Sequence, residues 1–313
     1  RGVPLEIGGR LTGRAGRYSV GILNTQTGDE PDTLPSPARS TNVSVVRLKR
    51  DILRRSSVGL IATGRSVAEG GTGRNLAYGV DGTFGFFDNL TINSYWAKTE
   101  TDGRRGDDTS YRAQLDYNGD RYGLQLERLA VGDNFNPEVG FLRRDNMRRS
   151  FAQARFSPRP RRLPSIRRLR YQAGFTYITD GVGKLESRER EGEFVIEFQN
   201  GDQFSAGYSQ QYEFLSQPFV IVPEIAIPIG SYPFENARVG FNLGRQRRAS
   251  AQMSVEHGTF FSGHRTTFTA SQGRVSVTNA LSVEPTYSLN KVDLEQGRFT
   301  THLVGSRATY TMT

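Results

Sequence analysis

From Tyr111 to Tyr117 the chain reads Tyr-Arg-Ala-Gln-Leu-Asp-Tyr, apolar or aromatic at each odd position and charged or amide at each even one. Successive side chains of a β-strand point to opposite faces, so a period of two predicts a strand with one greasy and one wet face. The parity recurs along the chain. Leu90, Ile92 and Trp96 share a face, as do Leu76, Tyr78, Val80, Phe84 and Phe86. Tyr122, Leu124 and Leu126 alternate with Arg121, Gly123, Gln125 and Glu127, and Tyr171, Ala173, Phe175 and Tyr177 alternate with Arg170, Gln172, Gly174 and Thr176. Phe194, Ile196 and Phe198 alternate with Glu193 and Glu197, and Ala237, Val239, Phe241 and Leu243 with Arg238, Gly240 and Asn242. About seventeen segments can be counted, each near the ~9 to 11 residues that carry a tilted strand across a bilayer. Helical spacing appears nowhere.

A soluble sandwich also alternates, but its apolar face fills a core with bulky aliphatics, whereas here both strand ends favour tyrosine. Tyr111 and Tyr117 stand roughly 20 Å apart on a strand, close to the ~25 Å apolar band between the aromatic girdles of outer-membrane barrels. The expected fold is all-β: a transmembrane antiparallel up-and-down β-barrel of about 16 to 20 strands in the intact protein. Residues 1–313 form a single barrel domain, expected to be a fragment of a longer chain.

The connections fall into two alternating classes. Short ones are expected near residues 13–16, 53–56, 87–89, 118–120, 200–201, 245–248 and 272–275, and long ones near 25–40, 66–73, 101–108, 131–146, 215–231 and 289–297. Such alternation separates periplasmic turns from extracellular loops. Two connections depart from it: 158–166, with Arg159, Arg161 and Arg162, is long on the turn side, and 179–183 is short on the loop side. Pro285 cannot donate a ladder hydrogen bond, so a bulge is expected beside it. An odd strand count leaves the two ends on opposite faces, whereas bacterial single-chain barrels are even, so either an odd number of strands, one of them before Arg1, is expected to be missing or one segment here is split or merged. The run 184–193 is charged on both parities and its neighbour continues through Gln210, Gln211 and Glu213, which predicts a paired wall taller than the membrane.

Composition sharpens this picture. Hydrophobic residues make up only 35% and mean hydropathy is −0.54, yet there are 19 Phe, 13 Tyr and 35 Gly, and the aromatics argue against disorder. The longest apolar stretch, 219–229, is broken by Pro223, Glu224 and Pro228, so no membrane helix is predicted. Cysteine is absent, which excludes disulfides, thiolate metal sites and a cysteine nucleophile. The chain begins at Arg1 without an apolar signal segment, so a mature or trimmed product is expected. The net charge of +9 is carried by arginine, since lysine occurs only at Lys49, Lys98, Lys184 and Lys291. The arginines are spread through alternating strands without a nucleic-acid-binding motif, so no nucleic-acid partner is expected. Their planar forks suit carboxylates and phosphates: lumenal Asp and Glu first, then sugar acids and lipopolysaccharide.

Three phrases carry a family resemblance. Val-Gly-Asp-Asn-Phe-Asn-Pro-Glu-Val-Gly-Phe-Leu-Arg-Arg at 131–144, Gln217-Pro218-Phe219 with Ile227-Pro228-Ile229-Gly230-Ser231-Tyr232 and Phe234, and, more loosely, His257-Gly258-Thr259-Phe260-Phe261-Ser262-Gly263 resemble an uncharacterised bacterial outer-membrane β-barrel family. In that family the barrel is a domain of unknown function that follows a family 9 carbohydrate-binding-like domain. The resemblance covers roughly residue 76 onward and implies a longer polypeptide with at least one further hairpin.

The loop 134–144 is turn chemistry at Asn136-Pro137 and Gly140, suited to a loop folded on the barrel mouth; Asn134, Asn136, Glu138, Arg143 and Arg144 are its plug or ligand candidates. The expected lumen-facing residues are Arg112, Asp116, Arg121, Glu127, Arg170, Glu193, Glu197, Arg238, Glu256, Arg265 and Glu284, whose mixed signs suggest an ion-pair lattice. The expected lipid-facing residues are Trp96, Tyr111, Leu115, Tyr117, Tyr171, Phe175, Tyr177, Phe194, Phe198 and Phe241.

His257, His264 and His302 lie in no nucleophile or metal motif, Ser262 near His264 notwithstanding, so no enzyme, cofactor or metal is expected. Acidic clusters at Asp29, Glu30 and Asp32 and at Asp107 and Asp108 lack a calcium-loop spacing. Two functions stay open: a channel or uptake component for saccharides or other polar solutes, and a non-conducting anchor or scaffold for a surface domain or partner complex. Either places the chain in the bacterial outer membrane, amid lipid and lipopolysaccharide, with saccharide and other outer-membrane or periplasmic proteins as possible partners.

Overall fold

The computed structural model describes residues 3–29, 39–68, 73–244, 246–247, 249–276, 278 and 280–311. They form nineteen strands: β1 (Leu5–Ala15), β2 (Tyr18–Thr27), β3 (Asn42–Leu53), β4 (Ser56–Arg65), β5 (Asn75–Phe86), β6 (Leu90–Thr101), β7 (Thr109–Asn118), β8 (Tyr122–Val131), β9 (Met147–Phe156), β10 (Ile166–Asp180), β11 (Leu185–Phe198), β12 (Gln203–Leu215), β13 (Phe219–Val222), β14 (Ile225–Ile227), β15 (Gly230–Asn242), β16 (Ala249–Phe260), β17 (Gly263–Ser276), β18 (Leu281–Leu294) and β19 (Gly297–Tyr310). Seventeen belong to one sheet, and β13 with β14 makes a separate two-stranded one. No helix occurs among the described residues.

Pairing is antiparallel between chain neighbours from β1 to β7, and from β11 through β12 and β15 to β19. The alternation sets the register. Trp96 lies opposite Tyr111, Ile92 opposite Leu115 and Leu90 opposite Tyr117, so one face of β6–β7 is a continuous apolar surface. A one-residue slip would send each of these side chains to the other face.

Contacts divide the chain into two compact units. The first comprises Arg1–Asn118, Gln125–Ser150 and Ile178–Lys184; the second comprises Gly119–Leu124, Phe151–Tyr177 and Leu185–Thr313. In the first, β1 is exposed at every position; in the second, β19 is exposed from Thr300 onward.

The expected pairing of the charged run is present, with β11 and β12 in register from Glu197–Gln203 up to Ser187–Glu213, but at 14 and 13 residues they are no longer than β10, β17, β18 or β19. A bulge also lies beside Pro285, where Ala270 pairs with Tyr287 but Val275 with Val283, one residue longer on β17. Two expected connections are corrected. Residues 272–275 are not a turn but the end of β17, and most of 289–297 is strand, with only Glu295 and Gln296 turning between β18 and β19. The loop-side connection between β16 and β17 is likewise two residues, Phe261 and Ser262, so beyond the exceptions at 157–165 and 181–184 the loop-side connections after β15 are short as well. At the loop-side end, Val292 and Leu294 of β18 are covered by Ile225 and Ile227, which is why 289–297 departs from strand alternation. Arg245 and Arg248, within one expected short turn, lie outside the described residues, as do parts of the expected loops 25–40 and 66–73.

Candidate functional site

Only ten hydrophobic residues are buried among the described residues, while the large apolar side chains of the strands, Trp96, Tyr111, Tyr117, Tyr171, Phe175 and Phe241 among them, are exposed. Leu115, Tyr177, Phe194 and Phe198 are half-buried by their neighbours. Exposed apolar area on this scale marks a surface made for an apolar medium.

The opposite face of each unit is laced with ion pairs. In the first, Arg47 on β3 reaches across β4 to grip Asp81 on β5 with both terminal nitrogens. Gly59 makes room for it: a Cβ there would sit 2.8 Å from Arg47 Cζ. Glu127 is buried between two arginines, accepting from Arg112 Nε at 2.8 Å and from Arg149 Nη1 at 2.7 Å, while Arg112 also donates to Gln114. In the second unit Arg168 binds Glu197 through two bonds of 3.2 and 2.6 Å, Arg170 meets Glu193 at 3.1 Å and Arg265 meets Glu256 at 3.1 Å. Arg238 is exposed and donates to Ser254 at 3.4 Å; Asp116 and Glu284 are half-buried.

Sequence reading missed Arg47, Asp81, Arg149 and Arg168. Each lies on the wet parity of its strand, and Arg168 stands two residues before Arg170, so alternation alone was the signal. Arg121 is a correction. It precedes β8 in the turn, where strand parity does not govern, and its guanidinium lies over the outward rings of Tyr122 and Phe156 at 5.6 and 5.2 Å instead of on the wet face.

Removing Glu127 would leave two arginines facing each other without their anion. Because those arginines keep 36% and 34% of their side-chain surface, Glu127→Ala is expected to cost about 2 to 4 kcal/mol, toward the lower end of a broken buried pair. A urea midpoint unchanged from wild type in vesicle-folded protein would show that the triad contributes nothing.

Two loops fold onto the wet face at its loop-side end. In the first unit, residues 132–146 are tied to β5 and β6: Asn136 N donates to Thr99 Oγ1 at 3.0 Å, and its carbonyl accepts from the fully buried Asn75 at 2.7 Å. Asn136 Nδ2 also donates to Glu138 at 3.1 Å, and Glu138 pairs with Arg65 of β4 at 3.4 Å. Asn134 holds the neighbouring loop through Arg105 O and Gly106 O, 3.2 and 3.0 Å away. The loop thus brings Asn134, Asn136 and Glu138 together as anchors, while Arg143 and Arg144 are exposed at its far end with Phe141.

In the second unit, the hairpin β13–β14 lies over β15–β19. Ile227, fully buried, and Ile225 form a core with Val292 and Leu294, flanked by Tyr232, Phe260, Phe261 and Phe299. Val292, Leu294 and Phe299 share the parity of the polar Asn290 and Thr301, so the wet face turns apolar where the hairpin covers it. Gly297, at φ +152°, has Ile225 Cδ1 3.0 Å from where a Cβ would be. Rings add to the contact, with Phe261 5.2 Å from both Tyr232 and Phe234, edge to face.

The polar groups considered for catalysis are otherwise engaged. His257 Nδ1 bonds Thr266 and its ring stacks on His264 at 6.0 Å; His302 bonds the Tyr287 hydroxyl; Ser262 donates to Gln296. Asp29 accepts from Ser40 N and Asp108 lies 3.8 Å from Lys98 Nζ, while Glu30 and Asp32 are outside the described residues. Among the described residues no group of three or more acidic or histidine side chains is placed to hold a metal ion.

No family model and no curated protein matches the chain, so the family resemblance rests on the three phrases. Solved structures do resemble it. OccAB4 of Acinetobacter baumannii is 10% identical over 96% of this chain and 95% of that one, with a TM-score of 0.48. OccK10 (OpdN) of Pseudomonas aeruginosa is 13% identical over 100% and 99%, with a TM-score of 0.46. The outer membrane protein OpdK of the same organism is 12% identical over 93% and 92%, at 0.47. Strands of membrane-crossing length, apolar on the exposed face and ion-paired on the other, are the building pattern of an outer-membrane β-barrel wall.

Proposed function

We propose that the chain is the wall of a bacterial outer-membrane channel that admits small polar solutes, saccharides among them. The observation that carries this is the inversion of the usual burial: apolar side chains lie exposed while the paired charges occupy the other face. Such a wall excludes lipid from its polar side and keeps that side wet. Because Arg47, Arg112, Arg168, Arg170 and Arg265 are each matched to a carboxylate, the lining favours polar solutes without a strong preference for anions.

The second reading, a closed barrel that anchors a surface domain or partner complex, is favoured by one observation: both phrase-bearing loops are fastened to the wet face. Planar-bilayer recording separates the two. The channel reading expects discrete conductance steps that a neutral sugar in the bath reduces. Silence from protein shown to be folded and inserted would overturn it in favour of the anchor.

A further inference from the structure

The exposed apolar face carries a groove in each unit, and at one end of each an arginine lies over an aromatic ring. In the second unit a groove of about 780 Å³ is floored by the small residues Ala154, Ala173, Gly192 and Ala206. Its turn-side rim is a row of rings: Tyr122 to Phe156 at 5.3 Å, Phe156 to Tyr171 at 6.2 Å and Tyr171 to Phe194 at 4.9 Å. Arg121 lies over the first two of these rings. Arg167, four residues before Tyr171 and so on the same parity, is exposed. In the first unit a groove between Leu48, Leu60, Val80 and Trp96 ends at Tyr18, and Arg50 lies over that ring at 5.2 Å.

The surroundings make these ends net basic, with arginines outnumbering the carboxylates Asp120, Asp51 and Asp88. The turn beside the second groove adds Arg159, Arg161 and Arg162, of which Arg159 grips Asp120. Beside the first, the β1–β2 turn adds Arg17 and the β3–β4 turn adds Arg54 and Arg55, with Arg55 near Asp88 at 3.3 Å and Asp51 paired with Arg14 at 2.8 Å. Cations stacked on interfacial rings at the mouth of an apolar groove suit one kind of occupant: a molecule with an anionic head and a long apolar tail, for which the small-residue floor of the second-unit groove leaves room. Resting on the outer-membrane reading, we propose that the two grooves bind anionic phospholipid of the periplasmic leaflet, its phosphate held by Arg121 and Arg167 in one and by Arg50 in the other, its acyl chains in the grooves. Arginine's fork matches a phosphate, and its stacking on tyrosine fixes the fork without neutralising it. Attraction to anionic lipid is commonly worth about fivefold in affinity per basic residue at the surface.

The test is native mass spectrometry of the purified protein in neutral detergent, titrated with dioleoyl-phosphatidylglycerol or dioleoyl-phosphatidylcholine. Wild type is expected to retain phosphatidylglycerol at least about tenfold better, and the Arg50→Gln, Arg121→Gln, Arg167→Gln variant to lose that preference while keeping its heat-modifiable folded band. Lysine at the same positions, which keeps the charge, restores most of the preference and serves if the glutamine variant does not fold. Equal retention of both lipids by wild type, or undiminished preference in the glutamine variant, overturns the proposal. Failure of the membrane reading is separate, and shows as protein that does not insert into phosphatidylcholine vesicles at all.

Discussion

Leu115→Arg is expected to destabilise the vesicle-folded protein by about 2 to 4 kcal/mol, while Gln114→Arg leaves it nearly unchanged. Leu115 sits near the middle of β7, between Tyr111 and Tyr117, and pairs with Ile92 on the apolar face. A guanidinium there must leave water for hydrocarbon or drag water with it. Gln114 pairs with Asn93 on the opposite face, beside the guanidinium of Arg112, where an added charge stays hydrated. The comparison uses urea midpoints of both variants in phosphatidylcholine vesicles. Equal midpoints would mean that the outward parity assigned to β7 is reversed, and with it the lipid-facing set Trp96, Tyr111, Leu115 and Tyr117.

Ile227→Ala is expected to free the hairpin β13–β14. Truncating a fully buried isoleucine commonly costs about 2 to 5 kcal/mol, and the hairpin holds to the strand ends mainly through Ile225 and Ile227 on Val292 and Leu294. Because those contacts are local, the loss falls on docking of the loop and leaves the ladder intact. Limited proteolysis in residues 216–229 should accelerate strongly, and in the planar bilayer the unit conductance should rise if the hairpin narrows the path. Cleavage and conductance both equal to wild type would show that the hairpin is not held by this core.

The strands were legible because their information is local. Backbone geometry puts neighbouring side chains on opposite faces, so a stretch such as Phe194 to Phe198 declares both its conformation and its two environments without knowledge of any partner. The bulge beside Pro285 was legible for a similar reason, the missing donor. Arg121 was misplaced because parity fails one residue outside a strand, and there the faces of Tyr122 and Phe156 decide where a guanidinium rests. The stretch 289–297 was misread as a loop because Val292 and Leu294 put apolar groups on a wet parity, which breaks the alternation that identifies a strand. Their reason for being there is Ile225 and Ile227, about seventy residues earlier in the chain.

By itself, then, the sequence determined the all-β class and the two faces of each strand, since both follow from a period of two repeated with turns between. Tertiary structure decided which charges meet, as when Arg112 and Arg149 close on Glu127, and which loops lie on the wet face. Such contacts depend on register between strands and on apolar groups far apart in the chain, and no local pattern encodes the distance between them.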